Sequence, residues 1–390
     1  MLGIPRYAAT IWIDFLHGDL AVQTRAAYRR SASALYDQAA QCAPAVDLDL
    51  ALLDPNLSEV ERVLSAFLLT MQVKSGVATS SQWRMARSFV FDFMRFSEVD
   101  TNTMRKRLLE IEQRFRRLRP QTPRPPAPVR ALPAEVIEEL HEIFHPTSHR
   151  NPYRTESIRW RNFTIFMLLL HLGLRAGELL GLAAGATKSE FSHVAGVEAF
   201  WVDVEINDQL VDERARPASL KNANATRQLP LPPELGDLCA LYLTNFRGDP
   251  PHGFLFTSQE GRPLSDRTLG QIFSNAQACL TPAAIDTLAR RHRGNLSPHD
   301  LRHTSAVVRL QRYRSAGLSQ DEAIERLRPF FGWARDSEMP LLYARAYFEP
   351  RFQDVWDECF TTALEALKNE GLIQQTGDTL HLARLKGIMK

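Results

Sequence analysis

The sequence predicts a mainly α-helical protein with one small antiparallel β-sheet, an N-terminal helical bundle followed by a mixed α+β domain. Three observations carry that prediction. Apolar residues recur at i, i+3 and i+4 along most of the 390 residues, the signature of helices with one buried face. Only residues 199–231 break the pattern, with short alternating or β-branched runs between polar turns. Between the two regions, "RPQTPRPPAPVRALP" at 119–133 packs prolines too densely for helix and favours an extended connector. The chain is also too long for one ordinary domain. The expected organisation is a helical domain over 1–118, a linker over 119–133 and a second domain over 134–390.

Taken in order, "TRAAYRRSASALYDQAAQ", "LSEVERVLSAFLLTMQVKSG", "SSQWRMARSFVFDFMRFSEV" and "TNTMRKRLLEIEQRFRRL" are four amphipathic helices. The second and third are expected to start near Ser58 and Ser80, which suit N-caps. After the linker, "PAEVIEELHEIF" is a further amphipathic helix, followed by a polar loop to about Ser157 and the apolar helix "IRWRNFTIFMLLLHLG". "AFWVDVEIN", "LVDERARPASL" and "TRQLPLP" are the expected strands, and helix returns from "SDRTLGQIFSNAQACL" to the end. There, "FQDVWDECFTTALEAL" at 352–367 has the apolar stripe of a docking helix.

Composition narrows the function classes. The 44% apolar content supports a sizeable core. Cys42, Cys239, Cys279 and Cys359 are far apart and without metal-ligand spacing, so neither a disulfide framework nor a zinc ribbon is expected, and the compartment is read as cytoplasmic. "FTIFMLLLHLGL" is too short to span a bilayer and the N-terminus lacks a signal-peptide pattern, so no membrane is expected. A net charge of +2 does not announce a nucleic-acid binder. Its distribution does more. Residues 104–130 and "ARRHRGN" at 289–295 concentrate Arg and Lys, which fits either a solvated basic face or a polyanion partner.

"HEIFH" at 141–145 has the HExxH spacing that puts two zinc ligands and a general base on one helix. Pro146 follows the second histidine directly and no further ligand pattern comes after it. An ordinary amphipathic helix accounts for the segment equally.

Three separated segments hold the remaining chemistry. In "LLLHLGLRAGELLGL", Arg175 follows an apolar helix through a glycine turn, with Glu178 three residues on. Alone, this fits an Arg at a helix C-terminus with a salt-bridge partner. In "NLSPHDLRHTSAVVRL", Ser297 and Pro298 suit N-cap and N1, and His299 and Arg302 then share the first turn. In "FGWARDSEMPLLYARAYF", Trp333 precedes Tyr343 and Tyr347, a pair at i, i+4 that is also ordinary helix packing.

Read together, Arg, then His-x-x-Arg, then Trp and Tyr resemble the tyrosine site-specific recombinases of the phage integrase family (Cre/Xer-like), over roughly residues 132–360. "LGLRAGELLGL" and "SPHDLRHTSA" match the first two family boxes closely, and "FGWARDSEMPLLY" matches the third less tidily. The resemblance implies a SAM-like, DNA-binding core-binding domain at the N-terminus and a catalytic domain after the linker. It implies double-stranded DNA with a specific recombination site as partner, a homotetramer in the synapse, accessory DNA-bending or directionality proteins, and no cofactor or metal.

It also implies roles for individual residues. Arg175 and Arg302 clamp the scissile phosphate, and His299 adds a donor or helps take the tyrosine proton. The Trp333 indole donates to the phosphate. Lys221, at a polar turn between two expected strands, is the hairpin lysine and general acid, preferred over Lys188, which is expected in a loop close to the first box. Glu178 supports Arg175. Tyr343 is preferred as nucleophile over Tyr347, because Pro340 suits N1 of a helix whose first turn then holds Tyr343 and favours a phenolate. Tyr343 lies one residue beyond the family's usual spacing from Trp333. The expected reaction passes through a 3′-phosphotyrosyl bond and a Holliday junction. Rival readings are a type IB topoisomerase or telomere resolvase, an HExxH zinc peptidase and a non-catalytic DNA-binding relative.

Overall fold

Helical periodicity in the N-terminal third yields a bundle whose apolar stripes face one another. The computed structural model describes residues 6–20, 22–74, 77–97, 102–118, 131–192, 197–205, 210–214, 217–218, 225–291 and 295–343. The chain divides into two compact units, Met1–Ala127 and Pro128–Lys390.

In the first unit, α1 (Tyr7–Thr10) runs into a π-helical turn and is followed by α2 (Val22–Gln41), α3 (Leu48–Leu53), α4 (Ser58–Lys74), α5 (Val77–Phe96) and α6 (Asn102–Arg117). Leu35, Leu64, Phe67, Trp83, Phe89 and Phe93 are buried among them. Trp12 stacks on Tyr28 with ring centroids 4.5 Å apart, and its indole donates to Asp92 at 3.2 Å. The start expected at Ser80 is wrong. Helix α5 is already formed at Val77, because Thr79 and Trp83, one turn apart, are both buried and commit the earlier residues to the bundle. On α6, Ile111 and Phe115 face the core while Arg105, Lys106, Arg107, Arg114, Arg116 and Arg117 are exposed. Part of the basic run is therefore a surface stripe.

Near the start of the second unit Leu132 is buried and its N–H donates to Thr304 Oγ1 at 2.9 Å, so the end of the proline-rich segment is fastened to this unit. Then come α7 (Ala134–Phe144) and α8 (Glu156–Leu172). Every residue of α8 from Trp160 to Leu172 is buried, which makes it the central helix. A fully buried Leu or Phe side chain stabilises by about 1.5–3 kcal/mol, so this helix anchors the unit. It ends at Gly173 with φ 59°. A Cβ there would lie 2.4 Å from the Phe331 ring, so only glycine fits both the left-handed conformation and the space.

A short helix α9 (Ala176–Gly181) leads to a sheet of order β1-β2-β3, formed by β1 (Thr187–Ser192), β2 (Val197–Val204) and β3 (Arg227–Leu231), all antiparallel. Strand β1 was not expected. "TKSEFS" is polar and alternates weakly, and it is drawn into the sheet by pairing with the apolar β2. Lys188, expected in a loop, is an exposed strand residue opposite Trp201. Conversely, "LVDERARPASL" forms no strand among its described residues. Asp212 instead binds the Arg214 guanidinium at 2.6 Å and the Ala218 N–H at 2.8 Å, a local knot that takes up the groups a ladder would use.

Beyond the sheet come α10 (Pro233–Leu241), α11 (Asp266–Ala278), α12 (Pro282–Arg291), α13 (Pro298–Ser315), α14 (Gln320–Phe331) and α15 (Met339–Tyr343). Helix α13 packs on α8. It starts as its sequence suggests, with Pro298 at N1 and the Asp300 carboxylate accepting from the Ser297 N–H and hydroxyl, each at 2.8 Å. Among the described residues, no helix is long and apolar enough to cross a membrane. The helix expected at 352–367, Tyr347 and Cys359 lie outside the described residues, as does Lys221.

Candidate active site

Three chain segments meet around one buried carboxylate. Gly173 ends α8 and turns the chain so that Arg175 becomes the N-cap of α9. Glu178, at N3, accepts the Arg175 backbone N–H at 3.0 Å and also pairs with its guanidinium. Helix α13 contributes Arg302 and β3 contributes Arg227. Arg227 donates to Glu178 at 2.9 Å, and the Arg302 guanidinium lies 3.8 Å from the same oxygen. Burial raises the Glu178 carboxyl, but the Arg227 hydrogen bond and the charges of Arg227 and Arg302 outweigh it and hold the group below its ordinary value. Three guanidiniums thus share one carboxylate.

Arg302 is almost completely buried and held in plane by two carbonyls, Gly173 and Phe331, at 2.6 Å each. A guanidinium carries five donors, so these two bonds do not use all of them. Burial, then the neighbouring charge of Arg175, pull its pKa down to about 9, so it is still a cation at neutral pH. Arg175 keeps 17% of its side chain exposed and donates to the Gly332 carbonyl at 3.3 Å. The same turn delivers Trp333. Gly332 closes α14 with φ 58°, and the Trp333 ring stacks between Phe331 and Tyr343, at 4.7 and 5.5 Å. The Arg302 guanidinium lies 5.7 Å from the Trp333 ring centre.

Tyr343 closes this side of the site. It is wholly buried, and its hydroxyl lies 2.8 Å from Nδ1 of His303. Two expectations about it need correction. Helix α15 starts at Met339, so Tyr343 is its fifth residue and lies beyond the first turn. Nor is a phenolate favoured: burial pushes the phenol well above its ordinary value, against the pull of Arg302 and Arg175. Desolvation outweighs a helix-end field here, because the ring is sandwiched under Trp333.

Arg175, Arg302, Trp333 and Tyr343 are therefore brought together, and His299 stands at the rim, exposed, with its ring 4.5 Å from that of His303. Sequence reasoning passed over Arg227 and His303. The signal for His303 was present in "HDLRH", where it follows Arg302 and stands one helical turn after His299. Arg227 had no local signal, since "TRQLPLP" reads only as an edge of strand.

The HExxH segment does different work. His141 is buried with its ring edge-on to Phe163 and Phe166, and Glu142 is paired outward with Arg150 at 2.6 Å. The zinc-peptidase reading fails on this ground: the ligand histidine faces a hydrocarbon wall and the would-be base is neutralised by an arginine.

The site thus gathers three arginines beside a buried tyrosine, in a helical domain with a three-stranded sheet. Residues 130–347 match the phage integrase family, more than half the chain, and the protein belongs to that family of site-specific tyrosine recombinases, which cleave and rejoin DNA. Two solved structures of the Tn1549 transposon integrase share its fold. One, bound to transposon right-end DNA, is 16% identical with a TM-score of 0.53 over 91% of this chain and all of that one. The other, bound to circular-intermediate DNA, is 17% identical with a TM-score of 0.51 over 90% of this chain and 99% of that one. No curated protein sequence matches the chain significantly.

Proposed function

We propose that the protein recombines two double-stranded DNA sites, with Tyr343 as nucleophile. One observation carries this reading: three guanidiniums surround a single buried carboxylate, leaving positive charge uncompensated, and one of them lies 5.7 Å from the ring of Trp333, which stacks on Tyr343. Uncompensated buried charge costs several kcal/mol, a cost offset when a phosphodiester enters. Arg175 and Arg302 then hold the non-bridging oxygens, with His299 and the Trp333 indole as further donors. The Tyr343 Oη–phosphorus bond forms as the bond to the 5′ oxygen breaks, and Lys221, on the connection between β2 and β3, gives that oxygen its proton. The 3′-phosphotyrosyl bond conserves the phosphodiester energy. A 5′ hydroxyl from a partner duplex reverses the step, through a Holliday junction and with four protomers in the synapse. The exposed arginines of α6 fit a role for the first unit in gripping the phosphate backbone, and integration, excision, dimer resolution and transposition all use this chemistry.

The test is a nicked suicide duplex incubated in EDTA and probed for an SDS-stable protein–DNA adduct. Wild type and Tyr347→Phe are expected to form it and Tyr343→Phe is not. An adduct that persists in Tyr343→Phe refutes the assignment. Plasmids carrying paired sites separate exchange from simple relaxation: recombined products support the proposal and relaxation alone overturns it.

A further inference from the structure

A buried phenol cannot attack while it keeps its proton, and the proton needs an acceptor inside the site. His299 was the expected helper, but it is exposed at the rim. The atom within hydrogen-bond distance of the Tyr343 hydroxyl is Nδ1 of His303, at 2.8 Å. His303 is itself buried, on the same face of α13 as His299 and directly after Arg302. Of the two histidines in "HDLRH", one is therefore placed to meet the DNA and the other to meet the nucleophile.

We propose that His303 is the catalytic residue that accepts the Tyr343 proton, while His299 serves the phosphate. This rests on the reading of Tyr343 as nucleophile. As the Oη–phosphorus bond forms, the phenolic proton passes to His303 Nδ1 and the 5′ oxygen leaves with a proton from the general acid. In rejoining, His303 returns its proton to Oη as the phosphotyrosyl bond breaks. Neutral His303 must carry its own proton on Nε2 for Nδ1 to accept. The buried setting disfavours a free phenolate, so the proton passes to His303 only as the Oη–phosphorus bond forms.

His303→Asn tests the proposal. Its amide oxygen can reach the place of Nδ1 and keep a hydrogen bond to Tyr343, but it takes no proton at neutral pH. Single-turnover cleavage of the suicide duplex is expected to fall by about a hundredfold or more, the usual worth of a general base. Replacing Tyr343 by a fluorinated tyrosine, whose phenol is more acidic, is expected to restore most of that loss in His303→Asn. Loss of packing alone would not respond to phenol acidity. Cleavage within twofold of wild type, or a loss that the acidic phenol leaves untouched, overturns the proposal.

If His303→Asn does not fold, as judged by circular dichroism, the wild-type chain carrying the fluorinated tyrosines is used instead. Its cleavage rate is expected to change little along the series, since His303 takes the proton in each; a rate that climbs with the phenolate fraction overturns the proposal. Mapping the adduct to residue 343 separates the two claims. An adduct on another residue sinks the nucleophile assignment, whereas an adduct at 343 with unimpaired His303→Asn sinks only this one.

Discussion

Two helices of this protein bring histidines four residues apart, "HEIFH" at the end of α7, where His145 is the C-cap, and "HDLRH" on α13, and their surroundings give them opposite fates. On α7, His141 is enclosed by Phe163 and Phe166, its Nε2 has no hydrogen-bond partner among the described residues, and the intervening Glu142 is spent on Arg150. On α13 the intervening Arg302 joins a carboxylate shared by two more arginines, and His303 meets the Tyr343 hydroxyl. The spacing puts His299 and His303 on one helix face, whereas His145 falls at the cap of α7. What differs is the polarity of the wall they face, hydrocarbon for His141 and the Tyr343 hydroxyl for His303.

The comparison breaks most sharply on Arg302. Arg302→Ala is expected to lower single-turnover DNA cleavage by about a hundredfold or more, as for other lost transition-state donors. Because the Gly173 and Phe331 carbonyls also lose their donor, thermal melting should accompany the measurement, with Arg302→Lys as the milder change. A well-folded variant with normal cleavage would erase the distinction between the two helices.

Next in size is Glu178→Gln. It leaves Arg175, Arg227 and Arg302 without their shared charge, and urea unfolding should show a loss of roughly 3–5 kcal/mol, the usual cost of breaking a buried pair. An unfolding free energy equal to wild type would mean that solvent, not Glu178, balances the cluster.

The α7 pair should show itself in stability alone. Burial, then His145, lower the pKa of His141 to about 4. A histidine depressed in the folded state contributes stability that is present above its unfolded value and is lost as pH falls toward the folded one. Between pH 6.5 and 4 the wild type should therefore lose on the order of 3 kcal/mol more than His141→Leu. Parallel unfolding curves for the two proteins across that range would contradict the buried, neutral assignment. The smallest effect is expected at the helix end, where His145→Ala should leave DNA cleavage within twofold of wild type. A larger drop there would give "HEIFH" a part in catalysis after all.

Much of the architecture was legible along the chain, and the misreadings share a cause. The amphipathic helices, the turn at Gly173 and the capped start of α13 follow from local periodicity, glycine conformation and capping chemistry, all of which act over one or two turns. Strand β1 was missed because "TKSEFS" has little strand character of its own and becomes one by pairing with β2. The early start of α5 depended on the burial of Thr79 and Trp83, which only the bundle supplies. Arg227 was invisible for the same reason: its three acceptors lie on Glu178, Ala225 and Phe330, two of them far away in sequence.

By itself, the sequence determined the residue types, their order and the glycine turn before Arg175, and hence the family and the kind of bond it works on. Tertiary structure decided the state of those residues. Folding α13, α14 and α15 together buries Tyr343 and raises its phenol and sets Nδ1 of His303 on its hydroxyl, while the meeting of α9, β3 and α13 gathers three arginines around one carboxylate. Desolvation and charge proximity act across space rather than along the chain, so no spacing of letters encodes them.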